Sequence, residues 1–193
     1  MKEFFRKTFS KVKEEWLTIP NILSYVRLLL IPVIVILFAN GYNVWTLVVV
    51  IISTLTDIAD GFIARRFNMI TDFGKFIDPV ADKATQLTVF ICLITKFPLM
   101  LLPFCVLLVK EIGSLLLRLA VYSKNNIVEG AHWHGKMATT IVILIIALHL
   151  AWPDLPTTIS NATIYFTTIF MVYSGLLYTI EGIDLLKNGK KHY

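Results

Sequence analysis

Four aspartates stand at spacings that suit chemistry on phosphate. Asp57 and Asp60 are three residues apart, and Asp78 and Asp82 are four apart. On a helix each pair shares one face, and Gly74, one turn before Asp78, continues the second stripe. If a short loop joins the two helices, they are antiparallel neighbours and all four carboxylates can converge. Such a cluster of oxygen donors selects a hard divalent cation such as Mg²⁺ or Mn²⁺, and four carboxylates can hold two. Gly61 and Gly74 lack a Cβ and so let a bulky ligand or another backbone approach. Arg65, one turn beyond Gly61, is placed to pair with a phosphate. Two metals, an arginine and open glycine surface fit phosphoryl transfer.

The elements that must position these groups are membrane helices. The chain has 193 residues, 56% of them apolar and 16% charged, with a mean hydropathy of +0.73. Soluble domains run at about 45–50% and about 25%. So few charges cannot cover a water-facing surface, which excludes a soluble enzyme and a disordered chain. A spanning helix takes about 20 mostly apolar residues, and six stretches qualify: Ile22–Ala39, Val44–Ala64, Phe76–Thr95, Pro98–Tyr122, Lys136–Trp152 and Ile159–Leu185. Gly41, the Lys96–Pro98 stretch and Pro153–Pro156 mark tight turns between them. No repeat or Gly/Ser linker divides the chain. The expected architecture is all-α: one membrane domain over 1–193, with a six-helix transmembrane bundle over 22–185. A carboxylate at the centre of a bilayer costs about 2.5–3.5 kcal/mol, and less near an interface. Cations among the four aspartates would remove that cost.

Charge gives the orientation. Lys96 is the sole Lys or Arg in the three loops on one side, whereas the other basic residues outside the spans gather at the loops and ends of the opposite side. Both termini and the aspartates are therefore expected to be cytoplasmic, in the cell membrane. The formal charge of +5 follows from this asymmetry, and nucleic acid is not an expected partner. Phe5, Phe9, Val12 and Trp16 recur at helical spacing with Arg6, Lys7, Lys11 and Lys13 between them. This predicts an amphipathic juxtamembrane helix over 1–19, lying on the inner leaflet against anionic lipid, rather than a cleavable signal peptide. Cys92 and Cys105 sit inside apolar runs without partner spacing and read as small buried hydrophobes. His132, Trp133 and His134 read as a membrane-interface turn with an aromatic anchor, since no third metal ligand lies nearby. Asn161-Ala162-Thr163, a glycosylation triplet, reads as coincidence beside a span.

The pattern Asp57-x2-Asp60-Gly61-x2-Ala64-Arg65-x8-Gly74-x3-Asp78-x3-Asp82 resembles, at each of its fixed positions, the signature of the CDP-alcohol phosphotransferase family. The resemblance implies transfer of a phosphatidyl-type group from a CDP-linked lipid to an alcohol, with release of CMP. Carried over, it makes Asp57, Asp60, Asp78 and Asp82 the ligands of two divalent ions. Asp82 is also the general base for the acceptor hydroxyl, and Gly61, Arg65 and Thr71 bind the donor. It further implies a homodimer in contact with membrane lipids. Upstream, Pro20-Asn21-x2-Ser24-x2-Arg27 resembles the family's entry to its first helix, where Asn21 either contacts the cytidine or simply starts the helix. Arg27, inside a span, is expected to be ion-paired or functional.

For the acceptor, Lys110-Glu111-x6-Arg118 and Gly135-Lys136-x2-Thr139 resemble segments of the family's phosphatidylglycerophosphate synthases. Lys110 stands where those have arginine, and Ala138 where they have a second lysine. The branch implies CDP-diacylglycerol as donor and glycerol 3-phosphate as acceptor. Arg118 and Lys136 then supply cations for the acceptor phosphate, or else anchor helix ends by snorkelling. Cardiolipin synthesis from CDP-diacylglycerol and phosphatidylglycerol, or an inositol phosphate acceptor, is the alternative within the family. A cation channel or carrier is the alternative outside it, disfavoured because no repeat is present and the acids lie at one side with Arg65.

Overall fold

The computed structural model describes residues 18–67, 69, 71, 73–125 and 133–188. Among them the chain forms six α-helices and no strand: α1 (Ile19–Ala39), α2 (Asn43–Arg66), α3 (Gly74–Lys96), α4 (Leu101–Asn125), α5 (Trp133–Ala151) and α6 (Thr157–Asn188), with a 3₁₀ turn at Pro98–Met100. The chain divides into two compact units, one through Cys92 and one from Leu93. The amphipathic helix expected over 1–19 lies outside the described residues except for its last two positions, as does His132.

Local chemistry sets the helix ends. Pro20 opens α1, where a missing N–H costs nothing because first-turn donors have no intrahelical partner. At the other end the Tyr42 N–H bonds the Leu37 carbonyl and the Gly41 N–H bonds the Phe38 carbonyl, both at 2.9 Å. Gly41 itself has φ +79. This is a Schellman close, in which glycine takes the left-handed turn without a Cβ penalty, and it sends the chain straight back into α2. In the first unit α1 packs along α2.

In the second unit α6 packs against both α4 and α5. A methyl group on Gly182 would sit 2.1 Å from Leu117 Cδ2, so glycine lets α6 approach α4 closely without moving Leu117. Between α5 and α6 the buried His149 bonds the Ile145 carbonyl at 2.9 Å through Nδ1 and Ser160 Oγ at 3.0 Å through Nε2. Its ring and that of Phe97 stand nearly perpendicular, with centroids 4.7 Å apart. Buried polar pairs of this kind hold helices together where hydrocarbon supplies no hydrophobic drive.

Every helix turns large apolar side chains outward, among them Leu29, Trp45, Ile91, Val109, Leu144 and Ile169, a surface suited to lipid rather than water. The hydroxyls of Thr46, Thr54, Thr85, Thr88 and Thr168 bond carbonyls one turn back, which satisfies them inside their own helix. Among the described residues, four helices are long and apolar enough to cross a membrane: Ile19–Ala39, Asn43–Ala64, Pro98–Val121 and Thr157–Lys187. The other two fall short for different reasons. Helix α3 carries Lys75, Asp78, Asp82 and Lys83 in its first half, and the apolar part of α5 is short, Gly135–Ala151. One expectation is corrected. Cys92 is buried but Cys105 is exposed, because it shares the outward face of α4 with Val109 one turn on, itself 73% exposed. Asn161 to Thr163 lie within α6.

Candidate active site

Along α1 the polar residues Asn21, Ser24 and Arg27 recur every third position, and all three are buried. In a helix that otherwise presents apolar side chains, this is a polar stripe turned inward. Arg27 is its centre. One guanidinium nitrogen donates to Asp57 Oδ1 and the other to Asp60 Oδ2, and the second also donates to Ser24 Oγ at 3.2 Å. The Ser24 hydroxyl in turn donates to Asp78 Oδ1. Carboxylates from α2 and α3 are thus tied to one face of α1. Asp57 and Asp78 lie close enough to Asp60 for their charges to act on it. The spacing of Asp57 and Asp60 at i, i+3 is what lets one planar fork take both.

The approach of α3 is governed by Gly74. Its N–H donates to Thr71 Oγ1 at 2.9 Å, and Asn21 Nδ2 donates to the same hydroxyl at 3.2 Å. Asn21 therefore does more than start a helix: it ties the first turn of α1 to the segment that caps α3. Gly61 follows Asp60 on α2 and is partly buried. Arg65 lies on the last turn of α2, and its side chain is outside the described set.

Asp82 sits one turn beyond Asp78 on α3, with its side chain 49% exposed and an oxygen 4.0 Å from Lys83 Nζ. Asp57 is also partly open at 41%, whereas Asp60 is closed at 3%. Hard oxygen donors on two successive helices are the ligand chemistry that Mg²⁺ or Mn²⁺ takes. Among the described residues, however, no three acidic, histidine or cysteine side chains form a ready metal-binding group. Asp57, Asp60 and Asp78 are instead turned onto Arg27 and Ser24, and among the described side chains the positive charge in this nest is the guanidinium.

Of the residues expected at an acceptor site, Arg118 on α4 is exposed and donates through Nε to the buried Tyr178 hydroxyl at 2.7 Å. Lys136, near the start of α5, is exposed. Ser24 and Tyr178 were not singled out as site residues by the sequence. The three-residue recurrence with Arg27 marked Ser24, whereas nothing local to Tyr178 marked it.

The sequence profile of the family described as CDP-alcohol phosphatidyltransferase matches residues 17–175. The chain is 32% identical over 182 residues to a protein of Wigglesworthia glossinidia brevipalpis named CDP-diacylglycerol--glycerol-3-phosphate 3-phosphatidyltransferase, across 89% of this chain and 99% of that one. A protein of the same name from Salmonella choleraesuis is 31% identical over 82% of this chain and 91% of its own. A Mycobacterium tuberculosis protein named "Probable phosphatidylglycerophosphate synthase" is 33% identical over 85% of this chain and 78% of its own. With the aspartate signature intact and the family profile covering most of its length, the chain belongs to the CDP-alcohol phosphatidyltransferase family.

Proposed function

We propose that this protein transfers the phosphatidyl group of CDP-diacylglycerol to glycerol 3-phosphate, giving phosphatidylglycerophosphate and CMP. The observation that carries the proposal is the gathering of Asp57, Asp60 and Asp78 onto one face of α1, in a chain whose near full-length relatives bear that enzyme's name. Asp57, Asp60, Asp78 and Asp82 hold two divalent ions, Mg²⁺ or Mn²⁺. When bound, these ions supply charge neutralisation at the donor diphosphate and at the leaving CMP. Gly61, Arg65, Thr71 and Asn21 bind the nucleotide end of the donor. The acceptor hydroxyl oxygen attacks the phosphorus that carries the diacylglycerol, the bond from that phosphorus to the CMP oxygen breaks, and Asp82 takes the hydroxyl proton.

All six helices span the bilayer in this reading, with the amphipathic segment on the inner leaflet. The Lys and Arg asymmetry supports cytoplasmic termini and a cytoplasmic active site in the cell membrane. Acyl chains stay in the lipid, and the protein works as a homodimer, as the family resemblance implies. The test offers purified protein CDP-diacylglycerol with a panel of alcohols and identifies the lipid product by mass. Phosphatidylglycerophosphate with stoichiometric CMP is the expected product. Cardiolipin formed from phosphatidylglycerol, or an inositol phosphate adduct, would reassign the acceptor.

Arg118 and Lys136 bind the acceptor phosphate, and Tyr178 orients Arg118. With Nε on the Tyr178 hydroxyl, the guanidinium plane is fixed, which suits a planar fork for phosphate. Arg118→Ala is expected to raise KM for glycerol 3-phosphate about tenfold, the loss of one charge-assisted hydrogen bond, and KM for CDP-diacylglycerol by far less. Tyr178→Phe moves the same constant in the same direction by a smaller factor. Equal effects on both substrates in steady-state kinetics would make the pair structural.

A further inference from the structure

We infer that Arg27 is the resident cation of the carboxylate cluster, a positioning residue that stands in for divalent metal and gives way when metal binds. The inference rests on the reading that Asp57, Asp60, Asp78 and Asp82 hold divalent ions, and concerns what occupies that nest without them.

Three observations carry it. First, Arg27 is 1% exposed and its guanidinium bridges Asp57 and Asp60 while reaching Asp78 through Ser24. Asp60, closed off from solvent, needs a balancing charge, and among the described side chains Arg27 provides it. Second, the arginine is incompletely satisfied: its Nε is buried without a hydrogen-bond partner. A permanent structural arginine in so closed a site normally has its donors matched. Arg27 is held by the carboxylates through two nitrogens, not locked on every side. Third, the oxygens it occupies, Asp57 Oδ1 and Asp60 Oδ2, belong to the acids that the metal reading assigns as ligands. A guanidinium and a divalent ion among the same carboxylates repel each other in a poorly screened interior. Arginine stays charged under all ordinary conditions, so it cannot yield by losing its proton. It yields by turning away.

Coupling of this kind is reciprocal. If metal and Arg27 compete for the carboxylates, removing Arg27 must tighten metal binding, and metal must repair the folding defect that its removal causes. A merely structural arginine would show neither effect. An arginine that organises the ligands for metal would show the reverse of the first.

The experiment uses the full chain in detergent micelles and two variants, Arg27→Gln and Arg27→Lys. Free Mn²⁺ is titrated by electron paramagnetic resonance, and thermal unfolding is followed in chelator and in saturating Mn²⁺. The expected result is that Arg27→Gln binds Mn²⁺ at least tenfold more tightly than wild type. Its Tm should fall in chelator and return towards the wild-type value in Mn²⁺. Arg27→Lys, which keeps the charge but not the two-pronged fork, should fall between them, and it carries the test if the glutamine variant fails to fold. Unchanged or weaker Mn²⁺ binding by the variants, or a loss of stability that Mn²⁺ does not repair, overturns the inference. If wild-type protein binds no Mn²⁺, the metal reading itself fails and this one with it, an outcome distinct from wild-type binding that the variants leave unimproved.

Discussion

Asp82→Asn is expected to lower kcat about a thousandfold, within the range of about 10²–10⁴ that a positioned general base contributes, while CDP-diacylglycerol binding stays within about threefold of wild type. The reason lies in how the four acids differ. Oxygens of Asp57 and Asp60 are held by Arg27, and one of Asp78 is held by Ser24. The Asp82 side chain is 49% exposed, with a Lys83 nitrogen at 4.0 Å, an exposure that lets a hydroxyl approach it. A base must have an oxygen that can take the proton, and the Asp82 side chain is more exposed than those of Asp57 and Asp60. Asparagine preserves the size of the side chain but cannot accept that proton. Because the same residue is proposed to hold metal, the assay must be run at saturating Mn²⁺, with donor affinity measured separately. If turnover at saturating metal stays within tenfold of wild type, Asp82 is not the base. If donor binding collapses along with turnover, its role is to hold metal and diphosphate, and the base must be sought elsewhere.

Much of this arrangement could be read from residue order alone. The six helices fall within a few residues of the stretches set out by hydropathy, and the turn at Gly41 is closed by the glycine expected there. The aspartate pairs were legible because helical periodicity converts i, i+3 and i, i+4 spacing into shared faces. The balancing charge was not. An arginine in an apolar helix announces that it needs a partner, but Asp57 and Asp60 lie 30 and 33 residues away, and no local rule selects them over Asp78 or Asp82. The outward turn of Cys105 was hidden for a related reason. In lipid, both faces of a helix are apolar, so hydrophobicity no longer says which face is inside. Polarity does so instead, as the stripe of Asn21, Ser24 and Arg27 shows. The same reversal explains why α3 is less apolar than its neighbours: it carries Asp78 and Asp82, two of the four acids of the proposed site.

The tight fit at Gly74 predicts the other large effect. Replacing a helical glycine by alanine ordinarily favours the helix by about 0.5–1 kcal/mol, so propensity alone forecasts a slightly more stable protein. Sterics forecast the opposite. A methyl group on Gly74 would stand 2.6 Å from Asn21 Oδ1 and 2.9 Å from Thr71 Oγ1, both closer than such contacts run. Asn21 is buried and bonded to that same threonine hydroxyl, which also receives the Gly74 N–H, so neither neighbour can withdraw without breaking the cap on α3. The first turn of α3 must then shift, and Asp78, one turn on, shifts with it relative to Ser24 and Arg27. A displacement of about 1 Å at a reacting centre can cost about a hundredfold, and Gly74→Ala is expected to lose at least that much in kcat/KM. Asn21→Ala combined with Gly74→Ala removes the nearer clash and should recover part of the lost thermal stability. Wild-type activity and an unchanged Tm in Gly74→Ala would mean that the opening of α3 has room to spare. Position 74 would then be glycine for the sake of a ligand's approach, not for the packing of α3 on α1.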